Sequence, residues 1–329
     1  MRLSTMLTVA GMTFAGLSAP TFSQGTSYPT RAITWIVPFA TGGPTDAISR
    51  MVAQRVGAEL GQTIIVENRP GAGGTLGATV AARAAPDGYT LFVGHIGTMA
   101  AAPYLFSSLR YDPLKSFVPV FRFPDTPMVL LVKADSPFKT AHDLFEQARK
   151  SSGSMTFGTA GVGSSSHLAA EHLASTAKVK FTFVPYKGTG PAMTDLMGGQ
   201  IDAMLDQTNV SLPQVEGGKL KALALTSQTE MTQFPKVPTL TKGELPGFLA
   251  STWYGIYAPV GTPSEVVRTL HSAYHKALAD KTFTDGLKKI GIDVLPEESV
   301  GPEAFGAFTL SEQNKWQRVI KEAGIPPQS

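Results

Sequence analysis

The chain of 329 residues contains no cysteine. That excludes disulfides, thiolate zinc sites and a thiol nucleophile, and with them the lipid-bearing cysteine of a bacterial lipoprotein. Charge is sparse. Asp, Glu, Lys and Arg make up 16% of the residues, and 28 basic against 25 acidic side chains leave a formal charge of +3. No Lys/Arg-rich run occurs, so no nucleic acid partner is expected. After the N-terminal region, no stretch reaches the ~18 uninterrupted apolar residues of a membrane span.

Chemical motifs are missing as well. There is no Gly-x-Ser-x-Gly elbow and no evident base–acid order for a serine triad. "TGGPTD" (41–46) lacks the Lys-Ser/Thr of a nucleotide P-loop. "RPGAGGTLGA" (69–78) has Gly71 and Gly73 but places Leu76 where the third glycine of a dinucleotide loop belongs. In "HLAAEHLAS", His167 and His172 stand five apart, roughly 140° around a helix, so they do not share a metal on one face. No catalytic residue, metal or cofactor is expected.

What is present begins with an export signal. Arg2 precedes an apolar stretch over 6–19, too short for a bilayer, and "TFS" (21–23) puts small residues where signal peptidase reads. Residues 1–23 are therefore expected to be removed after Ser23, leaving 27 bases against 25 acids. The product would be soluble, unanchored and, in a Gram-negative cell, periplasmic.

Beyond residue 30, strand-like runs alternate with helical patterns. "AITWIVPF", "TIIVEN", "YTLFVGH", "MVLLVKA", "MTFGTA", "FTFVPY", "IDAMLD" and "LKALALT" are followed or separated by helical segments. Repeated βα units predict mostly parallel sheets with helices on both faces. "WYGIYAP" is a further strand, and 263–290 and 302–323 read as helical. Two proline-bearing extended segments, around 122–138 and 245–263, read as crossovers between two lobes. That assigns 24–126 and 249–329 to lobe 1 and 127–248 to lobe 2, which can hinge over a cleft.

Four loops share one type. "FATGGPTD" (39–46), "GHIGT" (94–98), "GTAGVGSSSH" (158–167) and "YKGTGPA" (186–192) each end a strand, are rich in Gly, Ser and Thr, and open a helix. Helix N-termini offer free N–H groups and partial positive charge, and glycine permits close approach to the backbone. Two such loops in each lobe describe a cleft that grips an anion with neutral donors, suited to binding a carboxylate rather than to acid–base chemistry.

The stretches "ITWIVPFATGGPTDAISR", "VENRPGAGGTLGA", "APDGYTLFVG", "FGTAGVGSSSHLAAEHL", "VPYKGTGPAMTDLMGGQIDAMLD", "WYGIYAPVGTP" and a last helix bearing Trp316 are similar, in this order, to the Bug-type receptors of tripartite tricarboxylate transporters. The resemblance covers about 28–325. It implies an α/β, type II periplasmic binding protein of Venus-flytrap form, with a small carboxylate held in the cleft, delivery to membrane permease subunits, and a monomeric receptor. Its ligand contacts fall on Phe39, Thr41, Gly42, Gly43 and Asp46 in the first loop, and on Gly97 and Thr98 in the same lobe. From the other lobe they fall on Thr159, Ala160, Gly161, Ser164, Ser165 and His167, with Lys187 and Gly188 at the rim and Asp206 facing the ligand or bridging the lobes. Asp46 is expected mainly to fix its loop, because a carboxylate aimed at an anionic ligand repels it. Thr41, standing near the glycines where many relatives have proline, is an extra hydroxyl donor, and His95 is an unusual residue that could tune ligand choice. Two other readings stay open: a periplasmic hydrolase of carboxylate esters using Ser164 or Ser165, and a sensory receptor for a membrane kinase.

Overall fold

The computed structural model describes residues 28–323 apart from 152 and 293. The expected signal segment 1–23 and the chain beyond 323 lie outside the described residues.

The first sheet is built from β1 (Ile33–Val37), β2 (Ile64–Asn68), β3 (Thr90–His95), β4 (Phe117–Arg122) and β11 (Tyr254–Pro259), in the order β2-β1-β3-β11-β4. The second holds β5 (Thr126–Lys133), β6 (Thr156–Thr159), β7 (Thr182–Pro185), β8 (Ala203–Gln207), β9 (Leu220–Leu225) and β10 (Ser251–Thr252), in the order β10-β5-β8-β6-β7 with β9 also on β5. Each sheet has one reversed strand. It is β11 in the first, antiparallel to β3 and β4, and β5 in the second, antiparallel to β8, β9 and β10. Both reversed strands directly follow a passage between the sheets. The chain leaves the first sheet over 123–125 and returns at Trp253, between β10 and β11. All other strands run one way, so their C-terminal ends and following loops gather on one side.

The helices are α1 (Pro44–Leu60), α2 (Thr75–Ala82), α3 (Ala102–Leu105), α4 (Ala141–Ser151), α5 (Ser165–Ala177), α6 (Thr189–Gly198), α7 (Thr208–Glu216), α8 (Ser264–Ala279), α9 (Lys281–Lys289) and α10 (Pro302–Ala323). The helical pattern over 263–290 is thus two helices. Asp280 leaves helical geometry (ψ 111°), and its carboxylate accepts from Thr282 N at 2.8 Å, capping the second. "FVPVFR" carries Pro119 and so gives no strand signal by pattern. It is nevertheless β4, on the sheet edge, where a missing N–H costs least.

Each sheet buries its own core. Met128–Val132, Leu144, Phe157, Leu173, Leu205 and Leu223 pack in the second lobe. Trp35, Val52, Phe121, Ile256, Leu270 and Tyr274 pack in the first. A third cluster, with Phe92, Met99, Tyr257, Phe305 and Trp316, packs on the first sheet and takes in Leu168 of α5. The two sheets, joined by two short passages, give the two-lobed form.

Candidate functional site

Strand β1 stops where Pro38 follows Val37, and the chain turns through Gly42 at φ +84°, a conformation glycine adopts without cost. Gly43 is the N-cap of α1, no side chain caps it, and Pro44 brings no N–H. The first amides of this 17-residue helix are therefore left without a side-chain cap. Asp46 fastens this loop. Its Oδ2 accepts from Gly42 N at 3.1 Å, and its Oδ1 accepts from Arg50 Nε and Asn68 Nδ2, each at 3.0 Å. Burial alone would raise its pKa. The hydrogen bonds from Arg50, Gly42 and Asn68 outweigh it and hold the carboxyl below its usual range. Both oxygens are thus spent on the loop. Thr41 Oγ1 donates to Asn68 Oδ1 at 3.3 Å, so its hydroxyl is turned to the same brace.

The second lobe meets this loop directly. Ala40 N donates to Lys187 O at 3.0 Å, and Asn209 Nδ2 reaches Pro44 O at 3.4 Å. A Cβ on Gly43 would stand 3.2 Å from Thr189 Oγ1, and one on Gly188 3.1 Å from Ala40 N. The lobes are closed along the mouth.

Between them lies an inner recess of ≈ 20 Å³, walled by Gly43–Thr45, Ser164–Ser166, Thr189, Gln207 and Tyr254, with Phe39 and Ala160 at its edge. Phe39 and Ala160 also bound an outer chamber of ≈ 340 Å³ reaching Gly71–Gly74, Gly161, Val162 and Lys187. Four helices begin at the recess: α1 after Gly43, α5 after Ser164, α6 at Thr189 and α7 after Gln207. No Lys or Arg lines it. Four N-terminal partial charges and their amides give it a positive potential suited to an anionic group. The outer chamber has room for the rest of a small molecule.

The residues expected from sequence divide into two sets. Phe39, Gly43, Ala160, Ser164 and Ser165 wall the recess, and Gly161 and Lys187 line the outer chamber. The others support them. Gly97 N donates to His95 Nδ1 at 3.0 Å, Thr98 Oγ1 accepts from His95 N at 3.2 Å, and Thr159 Oγ1 receives Gly161 N at 3.4 Å. His167 packs inside the second lobe, its Nδ1 receiving Gly163 N at 3.4 Å, and burial lowers its pKa to about 4. Asp206 is fully buried beside the recess. Burial raises its pKa to about 7, against the pull of Gln207 N–H and the Thr189 hydroxyl.

Thr45, Ser166, Thr189, Gln207 and Tyr254 complete the recess without having been singled out by sequence pattern. Thr189 sits inside "YKGTGPA" and Gln207 directly follows "IDAMLD", so both carry a local signal. Tyr254 arrives on β11 by the return passage, which no local pattern reveals.

His95 occupies a distinctive place. It is 0% exposed, lies 4.8 Å from Phe39 ring to ring, and its Nδ1 stands 3.2 Å from Ser165 Oγ across the cleft. Because Nδ1 accepts from Gly97, Nε2 carries the proton, and Nε2 has no partner among the described residues. Burial drops the pKa of His95 to about 3. A serine–histidine pair with so weak a base, and with no carboxylate orienting the ring among the described residues, is poorly equipped to activate a nucleophile. It suits a fixed, neutral contact between lobes.

Comparison with known sequences and structures bears on the family and the fold. The chain is 33% identical over 327 residues to protein BugT of Bordetella pertussis, covering 98% of this chain and 99% of that one. It superposes on the periplasmic binding protein BugD with a TM-score of 0.88 at 39% identity, covering 92% of this chain and all of BugD. On MatC from Rhodopseudomonas palustris, solved with bound malate, the TM-score is 0.85 at 38% identity, covering 89% of this chain and all of MatC. The model of the tripartite tricarboxylate transporter family receptor matches residues 48–325. Two lobes of α/β structure, a cleft lined by helix N-termini and a family match over most of its length agree: the chain belongs to the receptor family of the tripartite tricarboxylate transporters.

Proposed function

We propose that this chain is a periplasmic solute receptor that binds a small carboxylate between its lobes and hands it to the membrane subunits of a tripartite tricarboxylate-type transporter. The observation that carries this reading is the convergence of four helix N-termini on a recess without a cationic side chain. One carboxylate of the ligand sits there on the backbone amides that open the four helices, beside the Thr45 hydroxyl. The remainder extends past Phe39 and Ala160 into the outer chamber. The lobes, 24–126 with 249–329 against 127–248, close over it as a monomer, and export through residues 1–23 delivers the receptor to the periplasm. The malate held by MatC and the periplasmic setting of BugD support a dicarboxylate-sized ligand in that compartment.

The ligand leaves unchanged, since Ser165 faces only a weakly basic histidine. A thermal-shift screen against a carboxylate library tests the reading, because a ligand of the folded state raises the melting temperature. One carboxylate should stabilise the protein, bind with 1:1 stoichiometry by calorimetry and be recovered intact. A library without a single stabilising carboxylate, or turnover of a carboxylate ester that disappears in Ser165→Ala, overturns it.

A further inference from the structure

Asp206 lies at the end of β8, one residue before the N-cap of α7, and it is 0% exposed. Its Oδ1 accepts from Gln207 N at 2.9 Å, while its Oδ2 has no partner among the described residues. Three walls of the recess adjoin it. Gln207 is its neighbour in the chain, the Thr189 hydroxyl bonds to it, and Tyr254 is within electrostatic reach. A carboxylate in the recess and the carboxyl of Asp206 thus stand on two sides of the same residues.

Two ionised carboxylates share such a place only where a cation compensates them. The elements packed around Asp206 bring none. Strand β5 sets Val129 opposite it, and β6 carries no ionisable residue. From α5 comes His167, which burial keeps neutral, and from α6 Asp195, which accepts from the Tyr186 hydroxyl at 2.6 Å. Helix α7 carries only Glu216, in its last turn. From the first lobe, Asp46 of α1 is paired with Arg50 at 2.9 Å, and burial keeps the phenol of Tyr254 on β11 protonated. Among these titratable groups Tyr254 alone interacts with Asp206, and it carries no charge. An ionised Asp206 at the foot of α7 would also draw on the N-terminal partial charge that an entering anion needs. Burial without a counter-charge favours the neutral acid, which is why its pKa rises to about 7.

We propose that Asp206 is the proton acceptor of the recess: it is protonated whenever a carboxylate is bound, so that each ligand enters with one proton. The proton passes from solvent to the Asp206 carboxyl, no other bond changes, and it returns to solvent when the ligand leaves. Binding is therefore tighter in acid. The ligand side of this assignment rests on the carboxylate reading; the state of Asp206 in the empty receptor does not.

Malate is the probe, used on the full chain, and two arms separate the claims. In ligand-free protein labelled with carbon-13 aspartate, the carboxyl resonance that disappears in Asp206→Asn should titrate near pH 7. Calorimetry at pH 8 in two buffers of different ionisation enthalpy then counts protons. The wild type should take up between roughly half and one proton per malate, and its affinity should fall about fivefold from pH 7 to 8 and up to about tenfold from pH 8 to 9. Asp206→Asn holds a neutral amide in the same place, so it should take up no proton and change affinity by less than about twofold over that range. A chain that does not bind malate speaks against a dicarboxylate ligand, while the ligand-free titration separately decides the state of Asp206. Titration of Asp206 in the ordinary acid range, malate binding without proton uptake, or the same uptake in Asp206→Asn would each overturn the proposal.

Discussion

Closure of the cleft rests on glycine at position 73. Gly73 lies in the rim of the outer chamber with φ +60°, and a Cβ there would overlap the Val162 carbonyl oxygen of the opposite lobe and stand 3.2 Å from its carbon. Gly73→Ala therefore carries two separable penalties. The left-handed backbone costs an L-residue about 1–2 kcal/mol in open and closed forms alike, which appears as a melting temperature lower by a few degrees. The overlap acts only on the closed form. Restoring a normal approach of about 3.5 Å requires the lobes to part by roughly 1.5 Å at this point. That stretches the Ala40 N to Lys187 O bond, 3.0 Å in the closed form, beyond useful length. Losing it costs about 0.5–1.5 kcal/mol, so ligand affinity should fall roughly three- to tenfold or more. Calorimetry with the carboxylate identified by the screen measures the affinity, and small-angle scattering measures the compaction that accompanies binding. A Gly73→Ala variant that binds at full strength and compacts as far as the wild type would refute the closed geometry as the ligand-holding state.

Gly43→Val should lower ligand affinity by roughly 100-fold, about 2.7 kcal/mol, because its Cβ already lies 3.2 Å from Thr189 Oγ1 and its methyls enter the recess; an unchanged calorimetric constant would remove Gly43 from the site. Its φ of −85° suits any residue, so the fold should survive, which circular dichroism checks. Asp206 has a folded pKa raised to about 7, above its unfolded value of about 3.9. Its contribution to stability is therefore full below pH ~4 and lost as pH rises through ~7. Asp206→Asn should gain in melting temperature relative to the wild type across that window, and a difference that stays flat with pH would contradict its burial as an acid. Asp46 has the opposite sign: its pKa is lowered, so its contribution is present above its unfolded pKa and lost as pH falls through the folded value. Asp46→Ala should be less stable than the wild type at neutral pH, with the gap closing in strong acid; equal denaturant midpoints at pH 7 would contradict its bracing of the loop.

Much of this is written locally. The βα alternation, the proline-bearing passages and the four glycine- and hydroxyl-rich loops are short-range patterns, because strand and helix periodicity and helix starts depend on neighbouring residues. Phe39, Gly43, Ala160, Ser164 and Ser165 are legible for that reason: each sits in a loop whose residue types announce a helix start. The edge strand over 117–122 is hidden by Pro119, since a proline argues against a strand until the sheet order shows that it lies on an edge.

Which loop residues turn inward is settled by packing between distant segments. Asp46 and Thr41 share a loop with Gly43, yet their side chains are taken by Arg50, Asn68 and Gly42. His95 and Ser165, 70 positions apart, meet across the cleft. Tyr254 reaches the recess on a strand returning from the other lobe. Residue types and their spacing are enough to specify an α/β chain with Gly-, Ser- and Thr-rich loops at its helix starts and no equipment for thiol chemistry. The recess and the burial of Asp206 and His95 arise from the tertiary packing, because burial and long-range approach are properties of the assembled surface and not of any local run of residues.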